Sequence, residues 1–206
     1  MWKNNRRFRT SALLQDAENT ISRREVLGYA AVGAAGAAAA VAGRGAHAAP
    51  NYLRGLGDFR KLNLTNQRTG ERLNIIYFAD GEYIPEAVDE LSYIFRDWRR
   101  NEIKPIDKRT IDIAAAVYRK VDAAEPLQII SGYRSPETNQ MLRRKGRGVA
   151  KNSFHTRGMA IDLTMQSRSV SQMYRAAMDL KAGGVGRYSR SHFIHVDCGP
   201  CRSWGR

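Results

Sequence analysis

The chain has 206 residues, which leaves room for one ordinary domain and excludes a large multidomain protein. It is strongly basic, with 34 Lys and Arg residues against 20 Asp and Glu residues. Such an excess is typical of proteins that meet nucleic acid, an anionic membrane surface or an acidic polymer. The basic cluster at residues 143–147 has no aromatic platform or helix-turn-helix pattern beside it, so we interpret it as a solvated helix end and expect no nucleic-acid partner.

Residues 1–48 have the pattern of a twin-arginine signal peptide with a polar lead. The Arg23-Arg24 pair precedes an Ala/Gly/Val run over residues 28–42, and residues 46–48 offer a cleavage site between small residues. The run is shorter than the roughly 20 residues that span a bilayer. A membrane helix is therefore the weaker alternative, and we expect a mature chain without a membrane span in the periplasm or cell envelope.

Residues 49–70 are polar and glycine-rich without a sustained hydrophobic period, which predicts an extended arm before a folded domain at residues 71–206. The predicted elements of this domain are a strand over 73–79, a hairpin turn at 80–81, helices over 85–98 and 106–121, a strand over 127–130, a helix over 136–145, a strand over 159–164, a helix over 170–182, and strands over 185–188 and 193–197. This order predicts an α+β domain in which helices flank a small, mostly antiparallel sheet.

Two short segments carry three of the four histidines in the chain. The first holds His155 and Asp162, separated by a short loop, and the second, at residues 192–197, holds His195. Two imidazole nitrogens and one carboxylate oxygen form a ligand set that a catalytic zinc takes, with a fourth coordination position left open. The sequence therefore predicts a zinc site at His155, Asp162 and His195.

Alternation along the two predicted strands supports this arrangement. In the first strand the apolar residues share one face, which leaves Asp162 on the other. In the second strand His195 and Asp197 share a face above an apolar backing. His192 lies at odd spacing from His195, so it joins the site only if it precedes the regular strand.

Three separated motifs, in this order, are similar to the zinc peptidases of the D-alanyl-D-alanine carboxypeptidase superfamily (peptidase M15), and within it to the murein endopeptidase K family. The motifs are Ser-Gly-Tyr-Arg-Ser at residues 131–135, Ser-x-His-x-x-Gly-x-Ala-x-Asp at residues 153–162, and Phe-Ile-His-Val-Asp at residues 193–197 with a trailing Trp204. The resemblance runs from about Glu71 to Trp204. It implies a hedgehog/D-Ala-D-Ala peptidase-like fold and a zinc-dependent peptidase that acts on peptidoglycan.

The resemblance also assigns roles residue by residue. His155, Asp162 and His195 match the family's metal ligands, and Arg134 matches an arginine that holds a substrate carboxylate or the developing oxyanion. Ser153 either donates a hydrogen bond to the substrate or orders its own loop.

The general base has two candidates. The ordinary pKa of a histidine, about 6.5, suits His192 to proton transfer, although an ideal strand would turn this side chain away from the metal. Asp197 lies on the correct face and serves either as the base or as the carboxylate that orients a ligating histidine. A purely structural His192 is a further alternative.

The Cys198-Gly199-Pro200-Cys201 segment matches the dithiol motif of redox enzymes. Only five residues follow it, so the long helix that would lower the pKa of a thiol has no room. We expect a local disulfide or two free thiols, with a thiolate ligand to the zinc as the remaining alternative.

These observations together predict a monomeric, zinc-dependent murein endopeptidase that hydrolyses the peptide cross-links of peptidoglycan. A D-alanyl-D-alanine-type carboxypeptidase would use the same machinery and is one alternative. The others are a non-catalytic, zinc-containing cell-wall-binding domain and an exported thiol oxidoreductase.

Overall fold

In the computed structural model of the chain, residues 50–53, 55–146 and 148–205 are described. The predicted export signal at residues 1–48 lies outside them. Within the described residues, no helix combines the length and the apolar character that crossing a membrane requires.

The strands are β1 Arg60–Asn66, β2 Arg72–Ala79, β3 Glu82–Tyr83, β4 Leu127–Ser131, β5 Ala160–Thr164, β6 Gly184–Tyr188, β7 Phe193–Asp197 and β8 Arg202–Gly205. They form one eight-stranded mixed sheet in the order β3-β2-β1-β4-β5-β7-β6-β8. The pairs β1–β4 and β6–β8 are parallel, and the other neighbouring pairs are antiparallel. Together with the helices, this sheet confirms the predicted α+β class.

The described residues also include four α-helices, which are α1 Pro85–Ile94, α2 Lys108–Val121, α3 Pro136–Arg144 and α4 Val170–Leu180. Each begins at a local sequence signal. Pro85 and Pro136 occupy first-turn positions, where a missing N–H costs nothing, and three polar side chains accept hydrogen bonds from first-turn N–H groups as N-caps, namely Asp107, Ser135 and Ser169. Helix starts were therefore predicted to within about two residues.

The core lies on one face of the sheet. Ile161 and Leu163 of β5 and Ile194 and Val196 of β7 are at most 1% exposed, and α2 and α4 both contact β7. Full burial of each such side chain contributes roughly 1.5–3 kcal/mol to folding. Because side chains alternate along a strand, this burial holds the residues between them on the opposite face.

The prediction of an extended arm over residues 49–70 is wrong for residues 60–66. These residues form β1, which lies inside the sheet between β2 and β4, with Leu62 and Leu64 fully buried. Only two apolar side chains alternate with polar ones here, so the strand signal is weak in the sequence. The pairing partners on both sides decide the conformation instead.

Two helices end earlier than predicted. The helix that begins at Pro85 stops at Ile94, so Trp98 lies in the following turn. The last helix stops at Leu180, because Lys181 adopts a left-handed conformation with φ 50° before the two glycines are reached.

Asp112 of α2 ties the first three strands to the helical layer. Its carboxylate is 1% exposed, and it accepts hydrogen bonds from Arg60 Nη1 at 2.9 Å, Tyr77 Oη at 2.9 Å and Tyr83 Oη at 2.5 Å. Burial and the neighbouring Asp112 carboxylate raise the pKa of both tyrosines. One side chain therefore satisfies three donors from β1, β2 and β3.

We expect Asp112→Ala to lower the free energy of unfolding by about 3–5 kcal/mol, because it leaves the Arg60 cation and two hydroxyls without their acceptor. Urea denaturation followed by circular dichroism measures this loss. The matched control is Asp89→Ala on the exposed side of α1, which should change stability by less than about 0.5 kcal/mol. Equal losses in the two variants would contradict the anchoring role.

Candidate metal centre

The polar face of the sheet is organised in cross-strand rows. One row crosses five strands and consists of Ser131, Asp162, His195, Gly186 and Trp204. The next row consists of Ala160, Asp197, Gly184 and Arg202. Since paired residues place their side chains on the same face, residues far apart in sequence meet here.

His155 reaches the first row from outside the sheet. It lies in a 3-10 turn, Phe154–Arg157, whose preceding residue Ser153 accepts a hydrogen bond from the His155 backbone N–H at 3.3 Å. Gly158 then takes a left-handed conformation with φ 69°, and a Cβ there would lie 2.5 Å from the carbonyl oxygen of Pro105. A glycine is therefore needed where the turn passes into β5.

Three donor atoms converge in this row. His155 Nε2 lies 3.2 Å from Asp162 Oδ1 and 3.1 Å from His195 Nδ1, and His195 Nδ1 lies 2.9 Å from Asp162 Oδ1. The three side chains are 3%, 6% and 7% exposed in the order His155, Asp162, His195. They are the group among the described residues whose ligand atoms come together closely enough to hold a metal ion.

The opposite nitrogens of the two histidines are occupied. His155 Nδ1 lies 2.7 Å from the carbonyl oxygen of Gly132, and His195 Nε2 lies 2.9 Å from Asp197 Oδ2. Both partners are acceptors, so each of these nitrogens carries the proton and donates it. The lone pairs of the other two nitrogens therefore face Asp162 Oδ1.

Charge in this cluster is distributed unevenly. Burial lowers the pKa of His155, although Asp162 acts against it. Burial also acts to lower the pKa of His195, but hydrogen bonds with Asp162 and Asp197 outweigh it and raise this pKa. Burial acts to raise the pKa of Asp162, whereas the two histidines hold it well below its usual range.

This donor set fits a zinc ion. Three potential acceptor atoms that converge in a buried row offer a site for a cation, and two nitrogens and an oxygen are ligands that zinc takes. In a tetrahedral site with bonds of about 2.0–2.1 Å, ligand atoms lie roughly 3.3 Å apart. The observed separations of 2.9–3.2 Å are close to this spacing.

Asp197 lies behind His195, on the side of the ring away from Asp162. Its carboxylate is fully buried and accepts hydrogen bonds from the backbone N–H groups of Gly184 at 3.2 Å and Gly199 at 2.9 Å, and from both terminal nitrogens of Arg202 at 3.0 and 2.7 Å. Burial acts to raise the pKa of Asp197, but His195 and Arg202 hold it well below its usual range. The carboxylate is thus charged and fully engaged.

A cleft of about 460 Å³ contains the three converging side chains, and Arg134 and Ser153 also line it. The Arg134 guanidinium donates to Ser131 Oγ at 3.3 Å and Asn139 Oδ1 at 3.4 Å, and lies 3.6 Å from Asp162 Oδ2. Its Nε is buried and has no hydrogen-bond partner among the described residues. The structure thus places one guanidinium at the wall of the cleft, beside Asp162.

His192 is placed differently from the other predicted site residues. Its side chain is exposed, its φ of 54° is left-handed, and it is not among the described residues that line the cleft. Its carbonyl oxygen accepts a hydrogen bond from Thr164 Oγ1 at 2.6 Å. The backbone of His192, rather than its ring, contacts the site strands.

Both cysteines are free thiols. Cys198 is buried in the hydrophobic core, and Cys201 is exposed with its Sγ 3.2 Å from the carbonyl oxygen of Lys181. Neither belongs to the converging donor group found among the described residues. This placement favours two free thiols over a local disulfide or a thiolate ligand, and the choice among them stays a prediction.

Sequence analysis missed two glycines that make room for the site. A Cβ at Gly186 would lie 2.6 Å from Trp204 Cε2, and one at Gly184 would lie 2.5 Å from Asp197 Oδ2 and overlap the Arg202 guanidinium. Both residues belong to β6 and face the metal side of the sheet. The Gly-Val-Gly alternation at residues 184–186 was the available signal, since glycine in a strand often marks a close approach.

Comparisons with known proteins agree on one family. The family model described as peptidoglycan L,D-endopeptidase MepK matches residues 55–204, a stretch that includes β1 and every site residue named above. Peptidoglycan L,D-endopeptidase MepK of Escherichia coli strain K12 is 43% identical over 145 residues, which cover 70% of this chain and 80% of that protein. Probable peptidoglycan L,D-endopeptidase MepK of Haemophilus influenzae is 38% identical over 146 residues, which cover 70% and 78%.

We expect Gly186→Ala to lower the free energy of unfolding by about 1–3 kcal/mol, because the new methyl group overlaps the Trp204 indole. Chemical denaturation measures the loss, and tryptophan fluorescence reports the displaced ring. In a Trp204→Ala background the overlap is gone, so the same substitution should cost less than about 0.5 kcal/mol. An unchanged cost in that background would show that Trp204 does not occupy the space above Gly186.

Proposed function

The chain belongs to the peptidoglycan L,D-endopeptidase MepK family, and we propose that it is a zinc-dependent endopeptidase that hydrolyses peptide cross-links of peptidoglycan. Its relatives are named L,D-endopeptidases, and we infer the same type of bond for this chain. The observation that carries this proposal is the convergence of His155 Nε2, His195 Nδ1 and Asp162 Oδ1 within 3.2 Å of one another in an accessible cleft. A structural zinc would be enclosed by four protein ligands, whereas three ligands beside a cleft are typical of a catalytic site.

His155, Asp162 and His195 hold the metal in this proposal. Zinc at this position supplies a Lewis acid and lowers the pKa of a water from 15.7 toward about 7. The Gly132 carbonyl and the Asp197 carboxylate keep the two imidazole rings in the tautomers that present a lone pair.

Arg134 binds the substrate. Its planar fork of donors suits a carboxylate of the peptide stem or the negative charge that develops on the attacked carbonyl oxygen. The contacts with Ser131 and Asn139 hold the guanidinium at the wall of the cleft, where its Nη2 lies 3.6 Å from Asp162 Oδ2. The Ser153 hydroxyl accepts a hydrogen bond from the backbone N–H of His155 and so orders the loop that carries His155.

Asp197 acts by orienting His195 and not as the general base. Four N–H groups besides His195 already engage it, and it is fully buried behind the ring rather than exposed in the cleft. His192 is exposed and lies outside the cleft lining, which favours a structural role for this residue over a role as the general base.

The remaining parts of the proposal concern architecture and location. The antiparallel pairing of most neighbouring strands supports the mostly antiparallel, hedgehog/D-Ala-D-Ala peptidase-like fold. The Arg23-Arg24 motif supports export by the twin-arginine route to the periplasm, after removal of residues 1–48. A monomer suffices for activity, since one chain supplies all three converging donors.

His155→Ala should abolish zinc binding and reduce cross-link cleavage at least about a thousandfold, because one nitrogen ligand and its electrostatic contribution are lost. Zinc content is measured by atomic absorption, and cleavage by chromatography and mass spectrometry of cross-linked muropeptide dimers. A chelator should inactivate the wild-type protein, and added zinc should restore it. Zinc-loaded wild-type protein that leaves the dimers intact would refute the endopeptidase and favour a wall-binding domain, whereas loss of only a terminal D-alanine would indicate a carboxypeptidase.

His192→Ala should retain cross-link cleavage within about threefold, because the exposed ring lies outside the cleft lining. Initial rates on the same muropeptide dimers, with protein of equal zinc content, provide the measurement. A loss of about a hundredfold or more, with zinc still bound, would instead identify His192 as the proton-transferring group.

A further inference from the structure

Arg202 of β8 forms a bidentate ion pair with Asp197, behind the candidate metal centre. Its Nη1 donates to Asp197 Oδ1 at 3.0 Å and its Nη2 donates to Asp197 Oδ2 at 2.7 Å. Nη1 also donates to the carbonyl oxygen of Pro200 at 3.0 Å. Such a bidentate pair fixes the plane of a carboxylate as well as neutralising its charge.

The guanidinium of Arg202 lies near two aromatic rings. It lies 4.9 Å from the ring centroid of Phe154 and 5.0 Å from that of Trp204. Gly184 lies beneath it, and any larger residue there would displace both Arg202 and Asp197. Two aromatic rings and a glycine therefore shape the space that the Arg202 guanidinium occupies.

Asp197 depends on this arginine. The carboxylate is fully buried, and the two backbone donors, Gly184 and Gly199, both reach Oδ1. Oδ2, the oxygen that faces His195 Nε2, has Arg202 as its other partner. Without Arg202 the oxygen that orients His195 would lose its second anchor, and the buried negative charge would lose its counter-ion.

We propose that Arg202 is a positioning residue of the metal centre, which acts through Asp197 to fix the orientation of His195 and so to set the affinity for zinc. This assignment rests on the zinc site of the proposed function. Both terminal nitrogens of Arg202 are engaged by Asp197, so its role differs from that of Arg134, whose Nη2 lies 3.6 Å from Asp162 itself.

The first test measures zinc affinity directly, by competition with a chromophoric chelator. Arg202→Ala should raise the dissociation constant of zinc about 10–100-fold, the range for loss of a group that supports a metal ligand. The visible bands of the cobalt-substituted protein should shift, since the ring of one ligand is no longer fixed, and kcat should fall more than KM rises.

Arg187→Ala is the matched control. Arg187 lies on the adjacent strand β6 and also packs against an aromatic ring, at 5.4 Å from Tyr174, but it pairs with Ile194 and so lies on the face away from His195. Its loss should leave zinc affinity and the cobalt bands unchanged. An equal weakening in both arginine variants would overturn the proposal, as would wild-type affinity in Arg202→Ala.

A double-substitution cycle tests whether Arg202 acts through Asp197. In an Asp197→Asn background, Arg202→Ala should weaken zinc binding by less than about threefold further, since the carboxylate through which it acts is already gone. An undiminished effect in that background would overturn the proposal.

If Arg202→Ala does not fold, Arg202→Lys tests the same positioning role. Lysine keeps the charge but cannot hold both carboxylate oxygens, so zinc binding should weaken about 3–10-fold, whereas wild-type affinity would contradict the positioning role. Apart from the comparison of kcat and KM, none of these readouts requires turnover. A wild-type protein that binds zinc and leaves cross-links intact would refute the endopeptidase, while the measured affinities alone would still decide the role of Arg202.

Discussion

The register between β5 and β7 is the constraint on which the site depends. It places Asp162 directly opposite His195, with Ile161 and Leu163 paired to Val196 and Ile194 on the other face. A slip of one residue in either strand would turn its donor toward the helices and its apolar residues toward the cleft. The apolar side chains buried beneath α2 and α4 therefore do more than stabilise the fold. Their burial makes such a slip costly and so fixes the position of two of the three ligands.

The polar face of the sheet depends on positions without a side chain as well as on the side chains it carries. Gly184 and Gly186 contribute no side chains, and the space above them is taken by the Asp197–Arg202 pair and by the Trp204 indole. Strand β8 supplies both Arg202 and Trp204 although it lies at the edge of the sheet, four positions from β4 in the strand order. A cross-strand row thus places groups at the edge of the sheet beside the converging donors of the central strands.

The two histidines are prepared for a metal in the same way by different parts of the chain. Gly132, at the end of β4, offers a carbonyl oxygen to His155, and Asp197 offers a carboxylate to His195. Each partner removes the same ambiguity, because it determines which nitrogen carries the proton and which carries the lone pair. The pKa values of the two histidines nevertheless move in opposite directions, because burial dominates and lowers the pKa of His155, whereas the Asp162 and Asp197 carboxylates outweigh burial and raise the pKa of His195.

Local signals in the sequence were enough to predict the three residues whose ligand atoms converge, most of the helices and strands, and the family. The alternation around Asp162 and His195, the N-caps and the Asp80-Gly81 turn all act within a few residues, so they can be recognised without a structure. The central position of β1 and the contact of Arg202 with Asp197 could not be predicted in this way. Each of these depends on which strands lie side by side, and only the folded sheet decides that, because cross-strand pairing joins residues whose separation in sequence carries no local pattern.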